Sequence, residues 1–433
     1  MKRNTLVLCL FFGTILHTTA QVRPASAPPG TGRWDIKWNR TDEFNAKEVN
    51  KKMWNTQPGN WGVWSWADDN VFITEGGILN IRMRQETHTR KFIDACNKTT
   101  VDDFELYYKS GILKSYAQGT YGYYEAKMKG AALFPGVCPA FWLYSDGHPY
   151  DNMKPGSTQY SEIDIVELQQ AEWSKTHVDD VFDMDHNLHT RIANEDGKTV
   201  SWKRPGGFPE ECRNKYRASF DPREDFHTYG VENRVDSIFW YVDGVKIAQK
   251  PNTYWHRPMH VTFSLGLRKQ FVKFQCNQFY PVKDATTTEG FPTTMQVDYV
   301  RTWEALPTLW VDDKDKYLTT KFVLGKKNDI TCHYNPGSGF KVLDEKWGGL
   351  QVKLIEKNEN GAVVREYKAV DASAVGKYGG TSTLSISLKG VTASDDLPAG
   401  NYYSLMPVFK SSKNNGMDVF VAGGISPINI VNK

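Results

Sequence analysis

Charge imbalance, long apolar runs and helical periodicity are all scarce in this chain. Its 53 basic and 50 acidic residues nearly cancel, leaving a formal net charge of +3. That excludes the dominant basic field of a nucleic-acid binder, while leaving room for local basic sites that take an anionic ligand. The apolar stretch Leu6 to Leu16 is too short to cross a bilayer as a helix, and no other stretch is long enough. No long segment carries the helical spacing of apolar residues, which argues against a helix-built fold. The six cysteines have spacings that match no zinc pattern. No internal repeat or low-complexity tract interrupts the chain.

What is present begins with an export signal. Lys2 and Arg3 precede the Leu6 to Leu16 core, and Thr18-Thr19-Ala20 supply the small residues of a cleavage site. Residues 1–20 are thus expected to be a signal peptide, and the protein to be secreted, to the extracellular space or the periplasm and cell surface. Cys9 leaves with the signal. Cys96, Cys138, Cys212, Cys276 and Cys332 remain, an odd number in a compartment that permits disulfides. Residues 21–33 are rich in Pro and Gly and read as a leader.

From Trp34 the chain becomes a series of short apolar and aromatic runs separated by Gly, Asn, Asp and Pro. Val71 to Thr74, Ile78 to Met83, Tyr121 to Met128, Ser237 to Val242, Met259 to Leu265 and Gln296 to Trp303 read as strands. Asp243-Gly244 is a hairpin turn signal. Many short strands with turn punctuation predict an all-β fold. Near Ala305 the tryptophans thin out, and Leu350 to Glu356, Asn360-Gly361 and Ala362 to Tyr367 form a second hairpin signature. Further strands are expected at Tyr402 to Phe409 and Asp418 to Ala422. The expected division is a larger domain over 34–304 and a smaller accessory β-sandwich over 305–433. The fourteen tryptophans have two uses open to them, stacking on sugar faces or filling a β core.

One octet stands apart: Ser161-Glu162-Ile163-Asp164-Ile165-Val166-Glu167-Leu168. In a strand, side chains alternate between faces, so Glu162 and Asp164 share one face while Ile163 and Ile165 share the other. Glu167 falls on the wrong face by simple counting. One extra residue at Ile165-Val166, a β-bulge, returns it to the acidic side. Acids so placed raise one another's affinity for protons, which lets one carboxyl stay protonated while another stays ionised. A retaining glycosidase needs such a pair, about 5–5.5 Å apart. On the octet alone, an amphipathic strand with a solvated acidic face serves equally well.

The octet and its surroundings resemble glycoside hydrolase family 16 and, within it, the κ-carrageenases. The strings that carry the resemblance are Asn60 to Trp66, Tyr121 to Ala126, Phe134 to Trp142, Trp202 to Pro209, Asp225 to Gly230, Gly266-Leu267-Arg268 and Cys276 to Pro281. The likeness covers roughly Trp34 to Trp303. It implies a curved β-jelly roll of concanavalin-like type with a cleft on its concave face. It also implies endo-cleavage of β-1,4 bonds in a sulfated galactan, carrageenan, with retention. Furcellaran, β-carrageenan, porphyran or agar are the alternative substrates. A galactan-binding protein without catalysis is the alternative from another class. A monomer is expected.

By the same resemblance, Glu162 is the nucleophile, Glu167 the acid/base and Asp164 the assisting carboxylate. Arg204 and Arg268 match positions linked to sulfate recognition, where a guanidinium fork suits a tetrahedral oxyanion. Trp142 is expected on the cleft floor, Trp61 and Trp64 as further sugar platforms, and Trp202 beside Arg204. His189 matches a histidine near the nucleophile. Cys96 and Cys276 match a pair that is disulfide-bonded in relatives. Asp298 matches a position that helps hold a structural calcium on the convex face. No cofactor is needed for the chemistry. Two stretches depart from the subgroup pattern, Trp173 to Asp185 and Lys269 to Lys273, and both adjoin the expected cleft.

Overall fold

The computed structural model describes residues 24–25, 33–147, 152–172, 178–234 and 237–306, and beyond them 308–310, 321–326, 328–335, 350–370, 381–386, 388, 391–409, 419–420 and 425–432. The expected signal peptide and most of the leader lie outside the described residues. So do residues 173–177 of the acidic connection.

The fold is all-β, a jelly roll built from a ten-stranded and a nine-stranded sheet. Its core lies between them. From the nine-stranded sheet come Phe141, Leu143, Ile163, Ile165, Val166, Val261, Phe263 and Leu265. Leu79, Ile81, Met83, Met128, Val231 and Trp240 meet them from the ten-stranded sheet. Phe141 and Phe263 stack with ring centroids 4.6 Å apart, which locks neighbouring strands of the nine-stranded sheet together. Alternation then sends Trp142, Tyr144, Glu162 and Asp164 to the outer face, where the site is built.

Most predicted strands appear, and many run longer than their sequence signals. Ile78 to Met83 is the start of a strand that continues to Asp94, and it pairs with Thr99–Ser110 as a long hairpin. Gln296 to Trp303 lies within Thr293–Leu306, whose last residue pairs with Arg33. The jelly-roll sheet therefore extends through Leu306. Asp243 and Gly244 both take positive φ, 48° and 75°, as their hairpin turn demands. Gly122, at φ 143°, has no alternative: a Cβ there would lie 2.2 Å from the Trp303 carbonyl oxygen.

Beyond Leu306, the described strands form a three-stranded and a six-stranded sheet of their own. The hairpin expected around Asn360-Gly361 joins Leu350–Lys357 to Val363–Val370, with Gly361 at φ 77°. Among the described residues, no helix is long and apolar enough to cross a membrane.

Candidate active site

The acidic strand runs from Thr158 to Glu167, between Val137–Tyr144 on one side and Leu188–Ala193 on the other. Its register against Val137–Tyr144 shows the bulge directly. Asp164 faces Trp142, Val166 faces Phe141 and Glu167 faces Ala140, so Ile165 is the extra residue. Ile165 and Val166 are both fully buried in the core. Glu167 thereby returns to the outer face with Glu162 and Asp164. The predicted bulge lies where the phase of the acids requires it.

The backbone of this strand is held from the core. The Trp255 indole donates to the Glu162 carbonyl at 2.9 Å and to the His189 carbonyl at 3.1 Å. The Trp240 indole reaches across from the other sheet to the Asp164 carbonyl, also at 2.9 Å. On the outer face, the Tyr160 hydroxyl donates to Glu162 in a short hydrogen bond. Tyr160 shares that face by plain alternation, two residues before Glu162, and sequence reasoning passed over it.

His189 sits against two of the acids, with Nε2 3.3 Å from Asp164 Oδ2 and 3.7 Å from Glu162 Oε1. Burial works against a charged imidazole, but the carboxylates of Glu162 and Asp164 outweigh it and pull the ring's pKa up to about 9. Asp164 is buried, and burial together with the charges of Glu167 and Glu162 pushes its carboxyl well above the usual range, with His189 opposing. The acidic cluster and burial thus act together to raise the proton affinity of Asp164.

Glu167 instead meets a cation. Arg268 Nη2 donates to Glu167 Oε1 at 2.8 Å, and both side chains are largely buried. Arg268 Nη1 donates to the Leu267 carbonyl at 3.0 Å, and Nε donates to Gln170 in a short hydrogen bond. In this structure, therefore, the guanidinium expected to read sulfate is engaged with Glu167. The buried thiol of Cys138 lies on the same carboxylate, Sγ 3.8 Å from Oε1. Across the strand pair from Glu167 stands Asp185, whose burial raises its pKa to about 7 against the opposing charge of Lys215.

The aromatic residues divide. Trp142 and Tyr144 stack at 4.6 Å, and Trp61 sets its edge against both, at 6.3 and 6.1 Å. These three are partly exposed and border Glu162 through the Glu162–Tyr144 pairing. Trp64 is only 5 % exposed and packs in the core with Trp66, so for it the core-filling use prevails. The Trp202 ring carries two guanidiniums, with Arg204 3.8 Å and Arg191 4.0 Å from its centroid. Arg191, two residues beyond His189 and on its face, was not singled out from sequence.

A cavity is lined by Trp202, Arg204, Gly207, Phe208 and Asn277. Asn277 is at the tip of the hairpin Val272–Gln275 and Gln278–Pro281. The adjoining Cys276 is bonded to Cys96, as the resemblance implied. Arg204 Nε is buried and has no hydrogen-bond partner among the described residues.

Asp298 pairs with Lys127 at 3.0 Å and belongs to no cluster of three ligating groups among the described residues. An ammonium at that distance would compete with a calcium for the carboxylate. Glu172, Asp179 and Asp185 do bring ligand atoms within 4.8 Å of one another. Lys215 Nζ lies among them, 3.4, 2.6 and 3.6 Å away respectively, and supplies their positive charge.

Comparison with known proteins places the chain. The family model described as the GH16 domain of β-porphyranases A–D matches residues 34–305. The κ-carrageenase of Pseudoalteromonas carrageenovora is 49% identical over 284 residues, which is 66% of this chain and 68% of that protein. A crystal structure of the κ-carrageenase from that organism, in complex with an oligotetrasaccharide of κ-carrageenan, is 47% identical with a TM-score of 0.59. The match covers 65% of this chain and 98% of that one. A κ-carrageenase structure from Zobellia galactanivorans is 45% identical, with a TM-score of 0.57 over 65% of this chain and 99% of that one. With the bulged acidic strand in place on a jelly roll, the chain belongs to glycoside hydrolase family 16 and is a glycoside hydrolase.

Proposed function

We propose that the protein is a secreted, endo-acting κ-carrageenase that cleaves internal β-1,4 bonds with retention by double displacement. The observation that carries this reading is the return of Glu167, by one bulge, to the face that holds Glu162 and Asp164. Glu162 attacks the anomeric carbon, forming a glycosyl ester as the glycosidic C–O bond breaks. Glu167 gives its proton to the departing oxygen. Water then attacks the same carbon, Glu167 takes the water's proton, and Glu162 leaves as the carboxylate. Arg268 stands where it can hold Glu167 in place between the two steps. The imidazolium of His189 lies beside Glu162 and Asp164, so its positive charge opposes the negative charge of the nucleophile.

The substrate class rests on the arginines and aromatics. Arg204, stacked on Trp202 with its Nε unpartnered among the described residues, suits a sulfate ester at the cavity that Asn277 also lines. Trp61, Trp142 and Tyr144 suit the apolar face of a galactose unit. The κ-carrageenan oligosaccharide bound by a relative of 47% identity supports κ-carrageenan. Porphyran is the second reading, favoured by the description of the matching family model. We read the sheets beyond Leu306 as an accessory unit.

Product analysis tests the proposal. Purified protein is given κ-, ι- and β-carrageenan, furcellaran, porphyran and agarose, and released oligosaccharides are identified by mass spectrometry. Sulfated even-numbered oligosaccharides from κ-carrageenan are expected, with release abolished in Glu162→Gln and Glu167→Gln. Products from porphyran alone would overturn the substrate assignment, and substantial turnover by both variants would overturn the roles of the two acids.

A further inference from the structure

The bulge that makes this strand catalytic has a side-chain anchor. On one flank, Asp164, Ile165 and Val166 face only Trp142 and Phe141. The other flank repeats the mismatch. There Ile163 pairs with Leu188 and Glu167 pairs with Asp185, so three residues of the acidic strand lie opposite just two, His186 and Asn187. Asn187 accepts from the Asp164 N–H at 3.0 Å. His186 acts through its ring: Nδ1 lies 2.5 Å from the carbonyl oxygen of Ile165, the residue the bulge adds. A carbonyl can only accept, so Nδ1 carries the proton. The imidazole is fully buried, and Nε2 has no hydrogen-bond partner among the described residues.

We propose that His186 is a positioning residue whose Nδ1–H, bonded to the Ile165 carbonyl, fixes the bulge and thereby the reach of Glu167. An extra residue in a strand leaves the ladder locally disrupted, and the bulged backbone can relax toward even pairing. Such relaxation would turn Glu167 toward the core, because a one-residue slip exchanges the two faces. A donor on the carbonyl of Ile165 opposes that slip at the residue where it would begin. Burial keeps the ring neutral, its pKa lowered to about 4, so the hydrogen bond is unchanged across the working range of a glycosidase. This inference rests on Glu167 being the acid/base, and the test separates the two.

The test compares His186→Asn, whose amide nitrogen falls near the Nδ1 position, with His186→Gln, whose amide reaches the ε position, and with His186→Ala. Each is assayed on κ-carrageenan and on a carrageenan-oligosaccharide fluoride, whose leaving group needs no proton, with azide as the accepting nucleophile. Glu167→Ala is the control, and circular dichroism confirms folding. His186→Gln and His186→Ala are expected to lose about 10²-fold in kcat on the polysaccharide, with KM within about twofold, because misplacement of a reacting group by ~1 Å costs that much. They keep most of their activity on the fluoride, and His186→Asn stays within about fivefold of the parent on both. An equal loss on the two substrates, or a folded His186→Asn as impaired as His186→Gln, would overturn the proposal. If Glu167→Ala also loses equally on both, the acid/base assignment itself fails, and the His186 variants then have no reach of Glu167 to report. If His186→Ala does not fold, the Asn and Gln pair still decides.

Discussion

Replacing Arg268 with methionine separates two jobs that one guanidinium could do. The side chain is paired with Glu167 at 2.8 Å, and the two groups are 17% and 14% exposed. Opposite unit charges ~4 Å apart attract by about 4 kcal/mol at an effective dielectric constant near 20. Desolvation offsets much of this, and hydrogen bonds to charged groups contribute about 1.5–3 kcal/mol net. Loss of that contribution in the transition state corresponds to about a 10- to 150-fold fall in kcat/KM. If Arg268 serves Glu167, the fall is the same on κ-carrageenan and on its chemically desulfated form. If the side chain serves only sulfate, the loss is confined to the sulfated polymer. Initial rates of reducing-end release on both polymers decide between the two. A loss more than tenfold larger on the sulfated polymer would refute the argument from the Arg268–Glu167 pair.

His189 makes stability depend on pH. Its pKa rises from 6.5 to about 9 on folding, so the imidazolium's contribution is fully present below 6.5 and is lost as pH climbs through about 9. A shift of that size corresponds to at most about 3 kcal/mol. Urea unfolding of the parent should therefore lose stability between pH 7 and 10, while His189→Asn should show a visibly flatter dependence over that window. Arg204→Lys keeps the charge but loses the planar stack on Trp202 and the fork. It should raise KM on κ-carrageenan about tenfold or more and leave the desulfated polymer within about twofold, as initial-rate measurements would show.

Much of the architecture was legible because the octet carries its own geometry. Period-two alternation put Glu162 and Asp164 together, and the misfit of Glu167 located the bulge before any contact was known. Strand ends were less legible. The segment after Met83 loses its apolar alternation as the hairpin runs on toward Asp94, so nothing local announces that the strand continues. The disulfide followed from likeness, since spacing alone cannot choose a partner among five cysteines.

What the sequence could not assign were pairings set by tertiary distance. Arg268 lies 101 residues from Glu167, and a basic side chain near a sulfated substrate and one bonded to a carboxylate of the strand read identically in one dimension. The same holds for the proton affinity of Asp164, which burial and the neighbouring acids raise and His189 opposes, since neither its burial nor the approach of His189 is written in the octet. Pattern identifies a set of residues able to do the chemistry, and the neighbours brought in by other strands decide which member of the set does which part. The bulge is where the two meet, because the phase of the acids demands it and the facing segment His186-Asn187, one residue short, accommodates it.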